Sequence, residues 1–163
     1  MSKLQFFYDY ECPFCKRGYE YLAEQIKSRP DIEVEWRPIE LHPLPEEYSP
    51  HTNLACQCYY IAKELGADTP EFHAAMFQAV AVERKNVEDT GVLCGILKGI
   101  VDTEKLRAVL TSGKYSKQIE ENNDLAYEKN GVWYLPAFRM NGKKLDAKGG
   151  AGITEQELKK FLG

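Results

Sequence analysis

Two cysteines separated by two residues stand where a short apolar run gives way to a helical pattern. The run Leu4–Tyr8 suits a buried strand, and Cys12-Pro13-Phe14-Cys15 follows it closely. Pro13 fits the first position of a helix, where its missing N–H needs no partner. The positive end of the helix dipole favours a thiolate there, which lowers its pKa and makes it a nucleophile. This arrangement predicts reversible thiol–disulfide chemistry, with half of a metal site or an inert pair as alternatives.

The residues after this motif continue a βαβ unit. Apolar side chains recur at helical spacing over Cys15–Ile26, and the stretch ends near Pro30. Ile32, Val34 and Trp36 then alternate with charged residues, a pattern typical of a half-buried strand. A strand, a helix and a second strand in this order predict two parallel strands joined by a right-handed crossover.

The middle of the chain has a helical pattern. A proline-dense segment, Pro38–Pro50, separates it from the βαβ unit. Helices are predicted over residues 54–65, from residue 69 onward, over residues 87–98 and over residues 103–110. Thr69 and Pro70 fit the N-cap and the first position of the second of these helices. Because no stretch here alternates as a strand would, we predict a helical insertion.

The last 50 residues predict a helix, a β-hairpin and a final helix. The helix is expected over residues 114–129. Asn141-Gly142 lies between two apolar segments and indicates a hairpin, so Ala137–Met140 and Lys143–Leu145 are expected to pair antiparallel. The sequence Thr154–Glu157 fits a capping box at the start of the final helix.

Charge and hydropathy argue against several classes of function. The 163 residues carry a net charge of −4, which gives no electrostatic basis for nucleic-acid binding. No apolar stretch reaches the roughly 18 residues of a membrane span. The N-terminal residues lack the apolar core of a signal peptide, and five cysteines are an odd number for a structural disulfide framework. These features predict a cytoplasmic protein with free or catalytic thiols.

The predicted order of elements, with Cys-x-x-Cys opening the first helix and a proline opening the hairpin, resembles the thioredoxin fold. The chain is similar to the DsbA-like thiol–disulfide oxidoreductases, in which a helical domain interrupts that fold, and especially to their intracellular FrnE-like branch. Cys12-Pro13-Phe14-Cys15 and Leu135-Pro136-Ala137-Phe138 carry this resemblance. It implies an α/β protein with a thioredoxin-like domain, residues 1–45 and 113–163, and a helical insertion domain, residues 46–112.

The resemblance also implies roles for individual residues. Cys12 is then the nucleophile, Cys15 resolves the mixed disulfide, and Pro136 is a cis-proline facing the redox-active pair. The residues implied to contact a substrate are Pro13, Phe14, Tyr134 and Leu135. The backbone of Leu135 is expected to pair with an extended peptide. The implied partners are protein or peptide thiols and disulfides, with glutathione or a thioredoxin-type system for recycling and no tightly bound cofactor or metal.

One departure from the family concerns the reduction potential. DsbA has a histidine where this chain has Phe14, and a histidine can stabilise the nucleophilic thiolate whereas phenylalanine cannot. Such stabilisation accompanies the potential of about −120 mV of DsbA, compared with about −270 mV for thioredoxin. We therefore predict an intermediate or more reducing pair. Two other functions stay open: a glutathione-dependent isomerase or transferase of the DsbA-like group, and a peptide-binding or chaperone-like module with regulatory or metal-binding cysteines.

Cys56 and Cys58 have three possible roles. Cys56 and Cys58 are two residues apart on a predicted helix, so their side chains point in different directions and do not readily bridge each other. They are either structural thiols, or a second redox relay, or ligands that complete a four-thiolate zinc site with Cys12 and Cys15. Cys94 is expected in the core.

Several polar and aromatic residues are predicted to lie outside the reaction itself. The three histidines, His42, His51 and His73, have no metal-ligand spacing and are expected at the surface or in the linker. Trp36 is expected in the core because it belongs to the alternating strand. Trp133 and Tyr134 precede the proline loop and are expected to form an apolar surface with Phe14. The segment Asp9–Glu11 is expected only to rim the site.

Overall fold

The order of elements is the one that the sequence predicts. In the computed structural model, which describes residues 1–163, the elements are β1 (Ser2–Tyr8), α1 (Pro13–Ile26), β2 (Ile32–Pro38), α2 (Asn53–Glu64), α3 (Thr69–Phe77), α4 (Thr90–Leu97), α5 (Thr103–Ser112), α6 (Ser116–Asp124), β3 (Ala137–Met140), β4 (Lys143–Asp146) and α7 (Glu155–Leu162). Helices α3 and α6 each continue into a π-helical turn, over Gln78–Val82 and Leu125–Lys129.

The four strands form one sheet in the order β2-β1-β3-β4. Strand β1 is parallel to β2 and antiparallel to β3, where Phe6 lies opposite Phe138 and the two rings stack at 4.9 Å. The hairpin β3–β4 turns at Asn141 and Gly142, whose φ angles of 51° and 75° suit a two-residue turn. The predicted βαβ unit and hairpin are both confirmed.

Side chains that accept backbone N–H groups fix several helix starts. Asp68 caps α3 by accepting the N–H of Glu71, so the predicted cap at Thr69 is wrong by one residue. Asp89 caps α4, which therefore begins at Thr90 and not at residue 87. The capping box at the start of α7 is confirmed, because Thr154 and Glu157 each accept the other's backbone N–H.

The sheet and the inserted helices share one hydrophobic cluster. Helix α1 packs against α7 and against α3, and Phe77 of the insertion stacks on Tyr19 of α1 at 5.2 Å. The α/β thioredoxin-like fold is thus confirmed, and the region between β2 and α6 contains helices and no strand of the sheet. The domain boundaries near residues 45 and 113 stay a prediction. None of the helices combines the length and the apolar character needed to cross a bilayer.

Candidate active site

The start of helix α1 is organised by the Cys12 side chain. Cys12 is the N-cap, Pro13 follows at the first turn, and the Cys12 Sγ atom accepts the Cys15 N–H at 3.3 Å. A sulfur at this position gains from the unsatisfied N–H groups of the first turn and from the helix dipole. The start of the helix thus favours a negative charge on Cys12.

The two thiols of the motif have opposite environments. A side-chain hydrogen bond from Cys15 lowers the pKa of Cys12, and the backbone N–H groups of Cys15 and Phe14 act in the same direction against the effect of burial. Burial raises the pKa of Cys15 well above its usual range, since Cys15 is inaccessible to solvent. The pair therefore combines a nucleophilic thiolate with a buried thiol that keeps its proton.

The proline loop before β3 lies directly against Cys12. The Leu135–Pro136 peptide bond is cis, and the Leu135 carbonyl oxygen lies 4.0 Å from the Cys12 Sγ atom. The Leu135 N–H group, just before the strand, has no hydrogen-bond partner within the protein. The structure thus brings the two predicted motifs together, although they are 123 residues apart in the chain.

A shallow groove opens beside Cys12. Its lining residues are Cys12, Phe14, Leu41, Trp133, Tyr134, Leu135, Lys148, Gly149 and Gly150. Trp133 and Tyr134 are the most exposed of the aromatic residues here, at 81% and 48%. Three residues predicted to contact a substrate line this groove, whereas Pro13 is exposed at the start of α1 and does not.

Two glycines of the segment after β4 allow Phe14 and Tyr134 to pack closely against it. A Cβ atom on Gly152 would lie 2.9 Å from the Phe14 ring, and one on Gly149 would lie 2.9 Å from the Tyr134 ring. The sequence alone does not identify the segment that contains them, together with Lys148, as part of the site. Its glycines form no functional motif, because their role is contact with residues far away in the chain.

The segment Asp9–Glu11 does not merely rim the site, and this prediction is wrong. All three residues are buried. The Asp9 carboxylate accepts hydrogen bonds from the Leu41 N–H and the Thr52 hydroxyl, each at 2.9 Å. Burial nevertheless raises the pKa of Asp9 to about 6. A carboxyl group with a raised pKa thus lies close enough to the two thiols for its charge to raise the pKa of each.

Tyr10 connects this segment to a buried network of hydrogen-bonded side chains. Its hydroxyl lies 3.1 Å from the Tyr8 hydroxyl and 3.0 Å from His73 Nδ1. His73 is fully buried, which corrects its predicted place at the surface, and burial lowers its pKa to about 3. Trp36 is half-buried and packs on the His73 ring at 4.3 Å. Tyr8, Tyr10 and His73 thus form a buried hydrogen-bonded network of uncharged side chains next to the active-site segment.

The other three cysteines lie outside the groove. The Cys56 thiol donates to the Ile39 carbonyl and the half-buried Cys94 thiol to that of Thr103, at 3.6 and 3.8 Å. Burial raises the pKa of Cys56 and of Cys58. No group of three or more His, Cys, Asp or Glu side chains could hold a metal ion, so the four-thiolate zinc site finds no support.

The sequence matches the family described as DSBA-like thioredoxin domain over residues 3–158. This chain belongs to that family. The uncharacterized protein YwbO of Bacillus subtilis is 26% identical to it, over 92% of each chain. The prediction of a DsbA-like thiol–disulfide oxidoreductase is therefore confirmed at the level of the family.

Solved structures of DsbA-type proteins share the fold of this DSBA-like chain. A probable DsbA oxidoreductase from Streptomyces coelicolor is similar with a TM-score of 0.80 at 15% identity, over 99% of this chain and 88% of that one. Pseudomonas aeruginosa DsbA is similar with a TM-score of 0.76 at 22% identity, over 99% and 80%. The helical insertion lies within these matched lengths.

Proposed function

We propose that this DSBA-like protein exchanges disulfides with protein or peptide substrates through Cys12 and Cys15. The contrast between the two thiols carries the proposal. Cys12 caps a helix, lines an open groove and has a lowered pKa, whereas Cys15 is buried and has a raised one. Thiol–disulfide exchange needs a nucleophilic thiolate, and a second thiol within reach can then resolve the mixed disulfide.

The reduction of a substrate proceeds in two balanced steps. The Cys12 thiolate attacks a substrate disulfide, forms a mixed disulfide and releases one substrate thiolate. Cys15 then attacks the Cys12 sulfur, so the Cys12–Cys15 disulfide forms and the second substrate sulfur leaves as a thiol with the proton of Cys15. Two electrons pass to the substrate, and the reverse sequence oxidises a dithiol.

The groove beside Cys12 suits an extended peptide. The unpaired N–H of Leu135 and its carbonyl oxygen lie next to the Cys12 sulfur and can bond to a peptide backbone as an added strand. Phe14, Trp133 and Tyr134 offer apolar contacts to the side chains that flank a substrate cysteine. These features support a protein or peptide substrate.

The proposed direction of the reaction follows from Phe14. Its ring cannot donate a hydrogen bond to the Cys12 thiolate, so the dithiol form lacks one source of stabilisation. We therefore expect an intermediate or more reducing pair, suited to reduction or isomerisation in a reducing compartment such as the cytoplasm. Glutathione or a thioredoxin-type system is the proposed source of electrons.

The decisive experiment measures the reduction potential of the pair by equilibration with glutathione and alkylation of free thiols. We expect one reversible two-electron transition in the wild type, and its loss in Cys12→Ser and in Cys15→Ser. Cys94→Ser is the matched control and should keep the transition, because Cys94 lies outside the groove. The Cys15→Ser variant should also accumulate a mixed disulfide with a peptide substrate.

Other outcomes point to the alternatives. If no reversible Cys12–Cys15 disulfide forms, the proposal is wrong. Activity with glutathione and a small molecule that survives Cys15→Ser would then favour an isomerase or transferase. Peptide binding that is unchanged in a Cys12→Ser, Cys15→Ser double variant would favour a binding module.

A further inference from the structure

The residue before the nucleophile is an unusually enclosed acid. The Glu11 side chain is only 6% exposed although it directly precedes Cys12. Its Oε1 atom lies 3.5 Å from His42 Nε2, and its backbone carbonyl accepts a hydrogen bond from Arg84 Nη1 at 3.1 Å. Glu11 is thus held from two sides by residues that lie outside the βαβ unit.

His42 and Arg84 are themselves fixed by one tyrosine. The His42 ring stacks on Tyr48 with ring centroids 3.7 Å apart, and Arg84 Nη2 donates to the Tyr48 hydroxyl at 3.3 Å. His42 Nδ1 also lies 2.7 Å from a carboxylate oxygen of Glu46. The segment after β2 and the loop after α3 therefore form a clamp around Glu11.

The groups that face Glu11 determine when it is charged. Asp9, Cys12 and Glu46 disfavour its negative charge, whereas Arg84 favours it. His42 favours the charge only when its ring is protonated. Burial is the largest effect and, with Asp9, raises the pKa of Glu11 to about 8. Glu11 is thus mainly neutral below this pH and charged above it.

A charge on Glu11 has a direct consequence for the proposed exchange reaction. The dithiol form carries the Cys12 thiolate, whereas the disulfide form carries no charge at this sulfur. A second negative charge nearby destabilises the thiolate and leaves the disulfide almost unaffected. Release of two electrons by the pair then becomes more favourable.

We propose that Glu11 is a positioning residue that acts through Cys12 and makes the pair more reducing when its carboxylate is ionised. This inference rests on the proposed function, because it concerns the potential of the same two cysteines. The clamp formed by His42, Tyr48 and Arg84 fixes the residue that directly precedes Cys12, and a charge on Cys12 disfavours a charge on the Glu11 carboxylate. The pair thus becomes a stronger reductant as the pH rises.

The test compares the wild type with Glu11→Gln, which has the same shape and no charge. The equilibrium constant of each protein with glutathione is measured at pH 6, 7, 8 and 9. We expect equal constants at pH 6 and an about tenfold difference at pH 9, with the wild type more reducing. A tenfold change corresponds to about 30 mV for a two-electron couple. Glu11→Asp retains the charge and should restore most of the pH dependence.

Two further variants keep the test decisive. Glu24→Gln removes an exposed acid of α1 that pairs with Lys27, and it should leave the constants unchanged at every pH. Arg84→Gln retains the Glu11 carboxyl group but removes the cation that favours its ionisation, so the pH dependence should begin at a higher pH. If Glu11→Gln does not fold, this shift of the pH dependence in Arg84→Gln tests the proposal instead.

The outcomes separate this inference from the function on which it rests. If the wild type and Glu11→Gln differ equally at all pH values, or not at all, the role of Glu11 is wrong and the oxidoreductase proposal stands. If the wild type forms no reversible Cys12–Cys15 disulfide at any pH, both proposals are wrong.

Discussion

A Cβ atom on Gly18 would lie only 2.9 Å from the Cγ atom of Pro136. Helix α1, whose N-cap is Cys12, therefore contacts the proline loop in the middle of its length as well as at its start. This contact sets the distance between the nucleophilic sulfur and the backbone of Leu135, since α1 and the loop carry one each. The absence of a side chain at Gly18 thus allows the close approach of α1 and the proline loop that the active-site geometry requires.

We expect Gly18→Ala to destabilise the protein and to slow exchange with peptide substrates. The added methyl group must displace Pro136, and such overpacking costs about 1–3 kcal/mol. Urea unfolding measures the stability, and reduction of a disulfide peptide measures the rate. Gly95→Ala is the matched control, because a Cβ atom on Gly95 in α4 would meet no atom within 4 Å. This variant should gain about 0.4–1 kcal/mol in free energy of unfolding. Equal losses in both variants would contradict this explanation.

Trp133→Ala is expected to weaken the binding of peptide substrates without changing the reduction potential. The indole is 81% exposed and lines the groove, so its removal costs contact area with the substrate and little stability. We expect a several-fold higher KM for a disulfide-containing peptide with aromatic side chains. The unfolding midpoint should equal that of the wild type. Val82→Ala removes an exposed apolar side chain outside the groove and should leave KM unchanged. A similar rise in KM for both variants would argue against a peptide groove at Trp133.

The buried acid Asp9 predicts a loss of stability as the pH rises. Its pKa is about 6 in the folded state, above the usual 3.8, so its neutral form is favoured by folding. That stabilisation is complete below about pH 3.8 and disappears as the pH passes 6. A shift of this size corresponds to about 3 kcal/mol. Urea unfolding at pH 4.5, 6 and 7.5 should show a smaller decline for Asp9→Asn than for the wild type.

The control for this prediction is Asp31→Asn, a change at an exposed acid that pairs with Arg29. That pairing lowers the pKa of Asp31, so its contribution has the opposite sign and does not decline as the pH rises. Parallel pH curves for the wild type and Asp9→Asn would show that Asp9 is not the source of the effect.

The elements of the fold can be predicted from the sequence because each is specified by residues that are close together in the chain. The period of the apolar residues, the Cys-x-x-Cys motif at a helix start and Asn141-Gly142 each determine structure within a few neighbours. The errors in the position of helix starts arise for the same reason. Asp68 and Asp89 compete as caps with nearby residues, and only the folded backbone decides which side chain reaches the free N–H groups.

The site is less predictable because the burial and the hydrogen bonds of its side chains depend on residues that are distant in the chain. Asp9 and Glu11 are acidic residues, and acidic residues in a sequence usually indicate exposure. Their burial depends on distant residues: Leu41 and Thr52 donate to the Asp9 carboxylate and Arg84 donates to the Glu11 carbonyl, from 32 to 73 residues further along the chain. The burial of His73 is unpredictable for the same reason, since its partner Tyr10 is 63 residues away in the chain. Spacing within the chain does not reveal such contacts.

Phe14→His should make the Cys12–Cys15 pair more oxidising. An imidazole N–H at this position can donate to the Cys12 thiolate, which stabilises the dithiol form, whereas the phenyl ring cannot. Each tenfold gain in the equilibrium constant corresponds to about 30 mV, and we expect a gain of at least that size in a glutathione titration. Phe14→Leu is the control: it keeps an apolar side chain against Gly152 and adds no donor, so its potential should remain that of the wild type. An equal rise in both variants would assign the effect to lost packing of the ring, and an unchanged potential in Phe14→His would show that position 14 does not control the thiolate.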